Sequence, residues 1–119
     1  MYVVGLQEMV KLEMIGSVMC NKDEERMMLW EQIVRNGLKR RMPSSSFSCV
    51  TRKVMFGCLI MLFAREDSIK SVRKVHTVKV KTGARGMAAN KGSTAIRFNY
   101  EDTSFMFLNC HLTSGQKQV

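Results

Sequence analysis

No acidic residue occurs between Ser68 and Tyr100, a stretch that holds eight bases: Lys70, Arg73, Lys74, Lys79, Lys81, Arg85, Lys91 and Arg97. That segment alone carries +8 of a formal net charge of +9, and such a concentration attracts polyanions: nucleic acid, anionic lipid or polyphosphate. Aromatic residues are also missing among these bases from Ser68 to Arg97. Nucleic-acid bases would find no stacking platform there, so no nucleic-acid partner is expected. No apolar run approaches the roughly 18 to 20 residues of a membrane-spanning helix, and the best stretch, Val54 to Ala64, is closer to strand length. The chain reads as soluble or peripheral to a membrane. Its start, Met1-Tyr2-Val3-Val4-Gly5, lacks the basic region, apolar segment and cleavage site of an export signal, so a cytoplasmic location is expected. Four cysteines at 20, 49, 58 and 110 lie too far apart for a close-spaced zinc pattern and read as reduced, buried thiols. There is no internal repeat and no low-complexity tract. With 119 residues, 45% of them hydrophobic, one modest core and a single domain or part of one are the default.

What is present divides into helical and strand periods. Tyr2 to Leu6 is a short β-prone run that delivers Gln7 and Glu8 to its end. Asn21 and Glu24 have the spacing of an N-cap and its third-position partner, and Met27, Trp30, Val34 and Leu38 recur at helical intervals. An amphipathic helix is therefore expected over 24–38, ending at Gly37 or at the Arg40-Arg41 pair, with Met42 to Ser46 a loop. Its Met and Trp stripe is core packing. Ser48 to Thr51 forms a short run, and Met55 to Ala64 reads as a central strand covered on both faces, because it is almost continuously apolar. Val75 to Lys81 reads as a half-buried strand with His76, Val78 and Val80 on one face and Thr77, Lys79 and Lys81 on the other, His76 being structural. Ser93 to Tyr100 and Ser104 to Cys110 should pair as an antiparallel hairpin across Glu101-Asp102-Thr103.

Two segments carry chemistry. Gly83-Ala84-Arg85-Gly86-Met87-Ala88-Ala89-Asn90-Lys91-Gly92 is punctuated by glycines that let backbone approach a ligand, and its Asn and Lys suit phosphate oxygens. Asn109-Cys110-His111-Leu112 ends a strand with an imidazole, a group suited to acid/base work. In register, the hairpin brings His111 to the Asn90-Lys91 loop.

With Gly5-Leu6-Gln7-Glu8, Asn90-Lys91-Gly92, Ala95-Ile96-Arg97-Phe98, and Thr103-Ser104-Phe105 running into Asn109-Cys110-His111-Leu112, in this order and spacing, the chain resembles the inositol polyphosphate 5-phosphatases over essentially all its residues. The resemblance implies an α+β fold: part of the four-layer α/β/β/α sandwich of the endonuclease/exonuclease/phosphatase superfamily, with mostly antiparallel sheets and outer helices. It implies a Mg2+-dependent hydrolase that removes the 5-phosphate of a phosphoinositide lipid or a soluble inositol polyphosphate. Glu8 matches the metal-ligand glutamate, and a hard cation prefers carboxylate oxygen. His111 matches the histidine that contacts the scissile phosphate, while Asn90 and Lys91 match the headgroup-binding pair. Arg85 and Met87 would then face a membrane, Arg85 against anionic headgroups, on the cytosolic side. The chain departs from the family at Ala89, where glycine is usual. It also has no counterpart of the opening strand with its Asn, of the Gly-Asp-x-Asn and Trp-Cys-Asp-Arg segments, or of the closing Asp-His pair. The expectation is thus a partial, truncated domain over 1–119 that alone does not turn over substrate. A catalytically dead module for anionic lipid or polyphosphate is the alternative.

Overall fold

The computed structural model describes residues 1–9, 20–83 and 88–112. In chain order these form β1 (Tyr2–Leu6), α1 (Cys20–Arg41), β2 (Phe47–Met55), β3 (Cys58–Arg65), a single 3-10 turn (Ile69–Ser71), β4 (Val72–Gly83), β5 (Ala88–Tyr100) and β6 (Thr103–His111). The strands make two antiparallel three-stranded sheets, ordered β1-β3-β2 and β4-β5-β6.

The helix is longer than its apolar stripe predicts. It starts at Cys20, so Asn21 is inside it rather than capping it, and it runs past Gly37 to Arg41. Lys39, Arg40 and Arg41 in the last turn favour this extension, because cations complement the carbonyl end of the helix dipole. The apolar run predicted as one strand over Met55 to Ala64 divides in two. Met55 closes β2, Phe56 and Gly57 turn with φ of 31° and 71°, and Cys58 opens β3 as the partner of Met55. Positive φ at both turn residues is the geometry that matches the twist of a two-residue hairpin.

Chemistry alternates along β3. Leu59, Met61 and Phe63 pack against Met27, Trp30, Val34 and Leu38 of α1, while Ile60 and Leu62 pack against Ile96 and Phe98 of the second sheet. The described residues thus stack helix on sheet on sheet, with β3 central as its continuous hydrophobicity predicts. The two sheets approach at an open groove of about 480 Å3, lined by Val3, Ile60, Phe98, Phe105 and Phe107 and ending at Asn109.

In the second sheet β4 corrects an expectation. His76, Val78 and Val80 do share a face, but that face is turned outward: Val78 is 49% and Val80 52% exposed, whereas Thr77 is half-buried. His76 pairs with the exposed Arg97 and is itself exposed, so it is not a core histidine. The cause is an irregularity between Arg73 and His76, with Lys74 at φ 51°, which resets the strand's register on β5. The β5–β6 hairpin forms as expected, Tyr100 opposite Thr103 and Gly92 opposite His111. Its turn is held from outside the hairpin, Glu101 N–H donating to the Ser71 carbonyl at 3.2 Å and Arg73 to the Glu101 carbonyl at 3.2 Å. Among the described cysteines Cys49, Cys58 and Cys110 are free thiols; Cys58 is buried, Cys49 half-buried, and Cys110, against expectation, exposed on the outer face of β6.

Candidate active site

Residues at or near one end of three strands meet on one side of the molecule. Glu8 lies two residues beyond β1, Lys91 lies in β5, and His111 is the last residue of β6. Lys91 and Asn90 are strand residues rather than loop residues, because β5 begins at Ala88 and runs alongside β4 as far as the Ala88–Gly83 pair.

The backbone at this end leaves little latitude. Glu8 has φ 54°, a left-handed turn that redirects the chain after β1, and the next amide, Met9 N–H, donates to the Gly57 carbonyl at 3.1 Å. Gly92, opposite His111, has φ 145°, and a Cβ there would run into the Val80 carbonyl oxygen. Only glycine tolerates that combination of dihedral and crowding.

On this frame the Lys91 Nζ stands 2.6 Å from the His111 Nε2, and the Glu8 Oε1 stands 3.4 Å from the same nitrogen. The imidazole is 17% exposed and the Glu8 side chain 77%, so the histidine is the sheltered member and the carboxylate faces solvent. Nε2 accepts from the Lys91 ammonium in the tautomer protonated at Nδ1; in the other it presents its own N–H toward Glu8. A cation and an imidazole on one side and a carboxylate on the other can hold a phosphate oxygen and a cation next to each other. Behind them burial pushes the Cys58 thiol up, an effect that Lys91 opposes and that Cys110 and Glu8 reinforce. Cys58 therefore remains a thiol rather than a thiolate nucleophile.

For a divalent cation the fit is partial. Glu8 supplies the hard oxygen such an ion prefers, yet among the described residues no three His, Cys, Asp or Glu side chains gather to hold one.

Of the residues singled out in sequence, Glu8, Lys91 and His111 come together. The backbone of Asn90 adjoins Lys91, with its side chain outside what is described, and Arg85 lies outside the described residues. Sequence reasoning missed Gln7 and Asn109. Asn109 continues the odd-numbered inward face of β6 that begins with Phe105 and Phe107, and a buried polar residue on an apolar face was the available signal.

The chain matches Endonuclease/Exonuclease/phosphatase family 2 over residues 1–119 and belongs to that family. Among its relatives, Polyphosphatidylinositol phosphatase INP53 of Saccharomyces cerevisiae is 38% identical over 117 residues, which is 98% of this chain and 10% of the yeast protein. Human Synaptojanin-2 is 34% identical over 118 residues, 99% of this chain and 8% of the human protein. Among solved structures, the inositol polyphosphate 5-phosphatase domain of SPsynaptojanin, in complex with inositol (1,4)-bisphosphate and a calcium ion, superposes with a TM-score of 0.78 at 32% identity. That match covers 98% of this chain and 32% of the solved one, so the chain spans about a third of the domain and about a tenth of the curated relatives. The mostly antiparallel α+β architecture expected from the resemblance is the one observed, with helix, sheet and sheet as its described layers.

Proposed function

We propose that the chain is part of a phosphoinositide and inositol polyphosphate 5-phosphatase catalytic domain, a phosphoric monoester hydrolase acting at the cytosolic surface of membranes. The observation that carries this reading is the convergence of Lys91 and Glu8 on the His111 Nε2 at the joined ends of β1, β5 and β6. In this reading Lys91 neutralises phosphate oxygens as a point charge, and His111 donates a hydrogen bond to the oxygen on which negative charge grows as the phosphoryl group transfers to water. Both interactions strengthen in the transition state, the condition for accelerating the step rather than only binding substrate. Glu8 would serve as one ligand of a Mg2+ ion. Such an ion, when bound, polarises a phosphoryl oxygen and stabilises the departing one. Asn90 and Arg85 are assigned to the headgroup, Arg85 on the membrane side.

Among the described residues a single carboxylate stands at the site, and one carboxylate does not close a metal site. That observation favours a second reading for the chain by itself, anion binding without turnover. Phosphate release from vesicles carrying a 4,5-bisphosphorylated inositol lipid, and from a soluble inositol polyphosphate, measured with and without Mg2+ beside vesicle binding, separates the two. Binding that is lost in Lys91→Met and His111→Ala without Mg2+-dependent release assigns the chain to binding alone. Release abolished in Glu8→Gln and His111→Ala supports the hydrolase. Salt-sensitive DNA binding with no affinity for either inositol compound overturns both.

A further inference from the structure

Glu8 and His111 belong to different sheets. β1 is an edge strand of the first sheet and β6 an edge strand of the second, so no backbone ladder sets the height of one against the other. Apolar packing between sheets is non-directional and leaves small sliding movements weakly opposed. A site that depends on the Glu8–His111 spacing needs something directional to hold it.

We infer that Gln7 and Asn109 are positioning residues that set this spacing. The Asn109 amide nitrogen, in a residue only 8% exposed, donates to the Leu6 carbonyl at 2.8 Å and to the Leu59 carbonyl at 3.0 Å. Leu6 and Leu59 are register partners in the first sheet, so one carboxamide from the second sheet grips two adjacent strands of the first. Its oxygen accepts from Gln7 Nε2 at 3.0 Å, and the second Gln7 proton goes to the Cys110 carbonyl at 2.6 Å. Both donors of each amide are used, which fixes the orientation of each group. Gly5 independently marks the closeness of the two sheets here: a Cβ on it would stand 3.3 Å from the Asn109 Cγ and 3.5 Å from its Oδ1.

The placement of this network follows the two site residues. Gln7 immediately precedes Glu8, Asn109 and Cys110 immediately precede His111, and the four hydrogen bonds tie these two segments to each other and to Leu59. The buried Asn109 amide, with both donors paired, is directional and resists sliding, because any displacement leaves an unsatisfied polar atom in a low-dielectric interior, and the exposed Gln7 amide adds two further bonds across the same seam. A loss of even about 1 Å of precision at a phosphate site is enough to spoil it.

This inference rests on the phosphatase reading, and the test keeps the two apart. Proton–proton nuclear Overhauser effects between the Glu8 side chain and the His111 ring are measured in the 119-residue chain, with those of the Gly92–His111 pair of the β5–β6 ladder as reference. Gln7→Met, which keeps length but removes both donors, should weaken the Glu8–His111 signal several-fold and leave the ladder signal intact. Asn109→Leu should do the same or unfold the chain, and Thr94→Val, in the same buried layer but outside the network, should change neither. An undiminished Glu8–His111 signal in folded Gln7→Met overturns the positioning role. Titration of inositol 1,4-bisphosphate with Mg2+ tests the other half: affinity lowered in Gln7→Met but not in Thr94→Val supports the inference. No measurable affinity in the unsubstituted chain removes the phosphatase reading, and the inference with it.

Discussion

The two sheets differ both in how apolar their strands are and in how deeply they bury the apolar residues they have. In the first, β3 is buried from Cys58 to Ala64, with α1 on one side and the second sheet on the other. In the second, only the inward face of β5 and part of β6 reaches that depth, and Val78, Val80, Met106 and Leu108 look outward and stay exposed. The same residue types therefore carry different energetic weight. Hydrophobicity predicts that a residue can be buried, and the layer on its other side decides whether it is.

The largest test of that contrast is a pair of truncations followed by urea denaturation. Phe63→Ala opens a cavity between β3 and α1 and should cost about 3–5 kcal/mol, enough to unfold a chain of this size. Met106→Ala, on the outer face of the second sheet, should stay within about 0.5 kcal/mol. A large loss at Met106 would show that this face is covered after all.

Gly92→Ala probes the seam between the hairpin and the site. Its φ of 145° and the Val80 carbonyl in the way of any Cβ lead us to expect a loss of roughly 1–3 kcal/mol in the same assay, with weakened phosphate-analogue binding. Thr94 sharpens the comparison from inside the second sheet: its hydroxyl is fully buried and has no hydrogen-bond partner among the described residues. Thr94→Val should accordingly be neutral or stabilising by about 1 kcal/mol, since no hydrogen bond is lost and a desolvated hydroxyl is removed.

The smallest effect lies on the surface between the two sheets. Hydrogen bonds from Arg65 and Ser68 hold the Asp67 carboxyl below its ordinary value of 3.8. A depressed folded-state pKa contributes stability at and above that ordinary value, and the contribution fades as pH falls through the depressed value. The difference in thermal midpoint between the chain and Asp67→Asn should be small at neutral pH and should vanish as pH drops well below 3.8. A gap that widens on acidification would reverse the assignment.

Much of this was legible in the chain because local periodicity and burial agreed. The stripe Met27, Trp30, Val34 and Leu38 announced α1, and the almost unbroken apolar run from Met55 to Ala64 announced a central strand, which is β3 once Met55 is given to β2. The short Glu101-Asp102-Thr103 connection announced the β5–β6 hairpin that sets Gly92 against His111, Thr103 itself opening β6. Where they disagreed, sequence reasoning went astray. Alternation in β4 separated two faces correctly but could not tell which was inward, because the irregularity at Lys74 is a property of its pairing with β5. The Phe56-Gly57 turn was hidden inside an apolar run, since a phenylalanine does not advertise positive φ.

The site divides in the same way. Which residue types suit phosphate chemistry, a carboxylate at 8, an ammonium at 91 and an imidazole at 111, was determined by the order of side chains along the chain. That they meet was decided by register and by sheet-on-sheet packing, which bring together residues about a hundred positions apart. The roles of the exposed Gln7 amide and the buried Asn109 amide became visible only there, because a polar group's role depends on which carbonyls it finds across the interface, and those belong to distant strands.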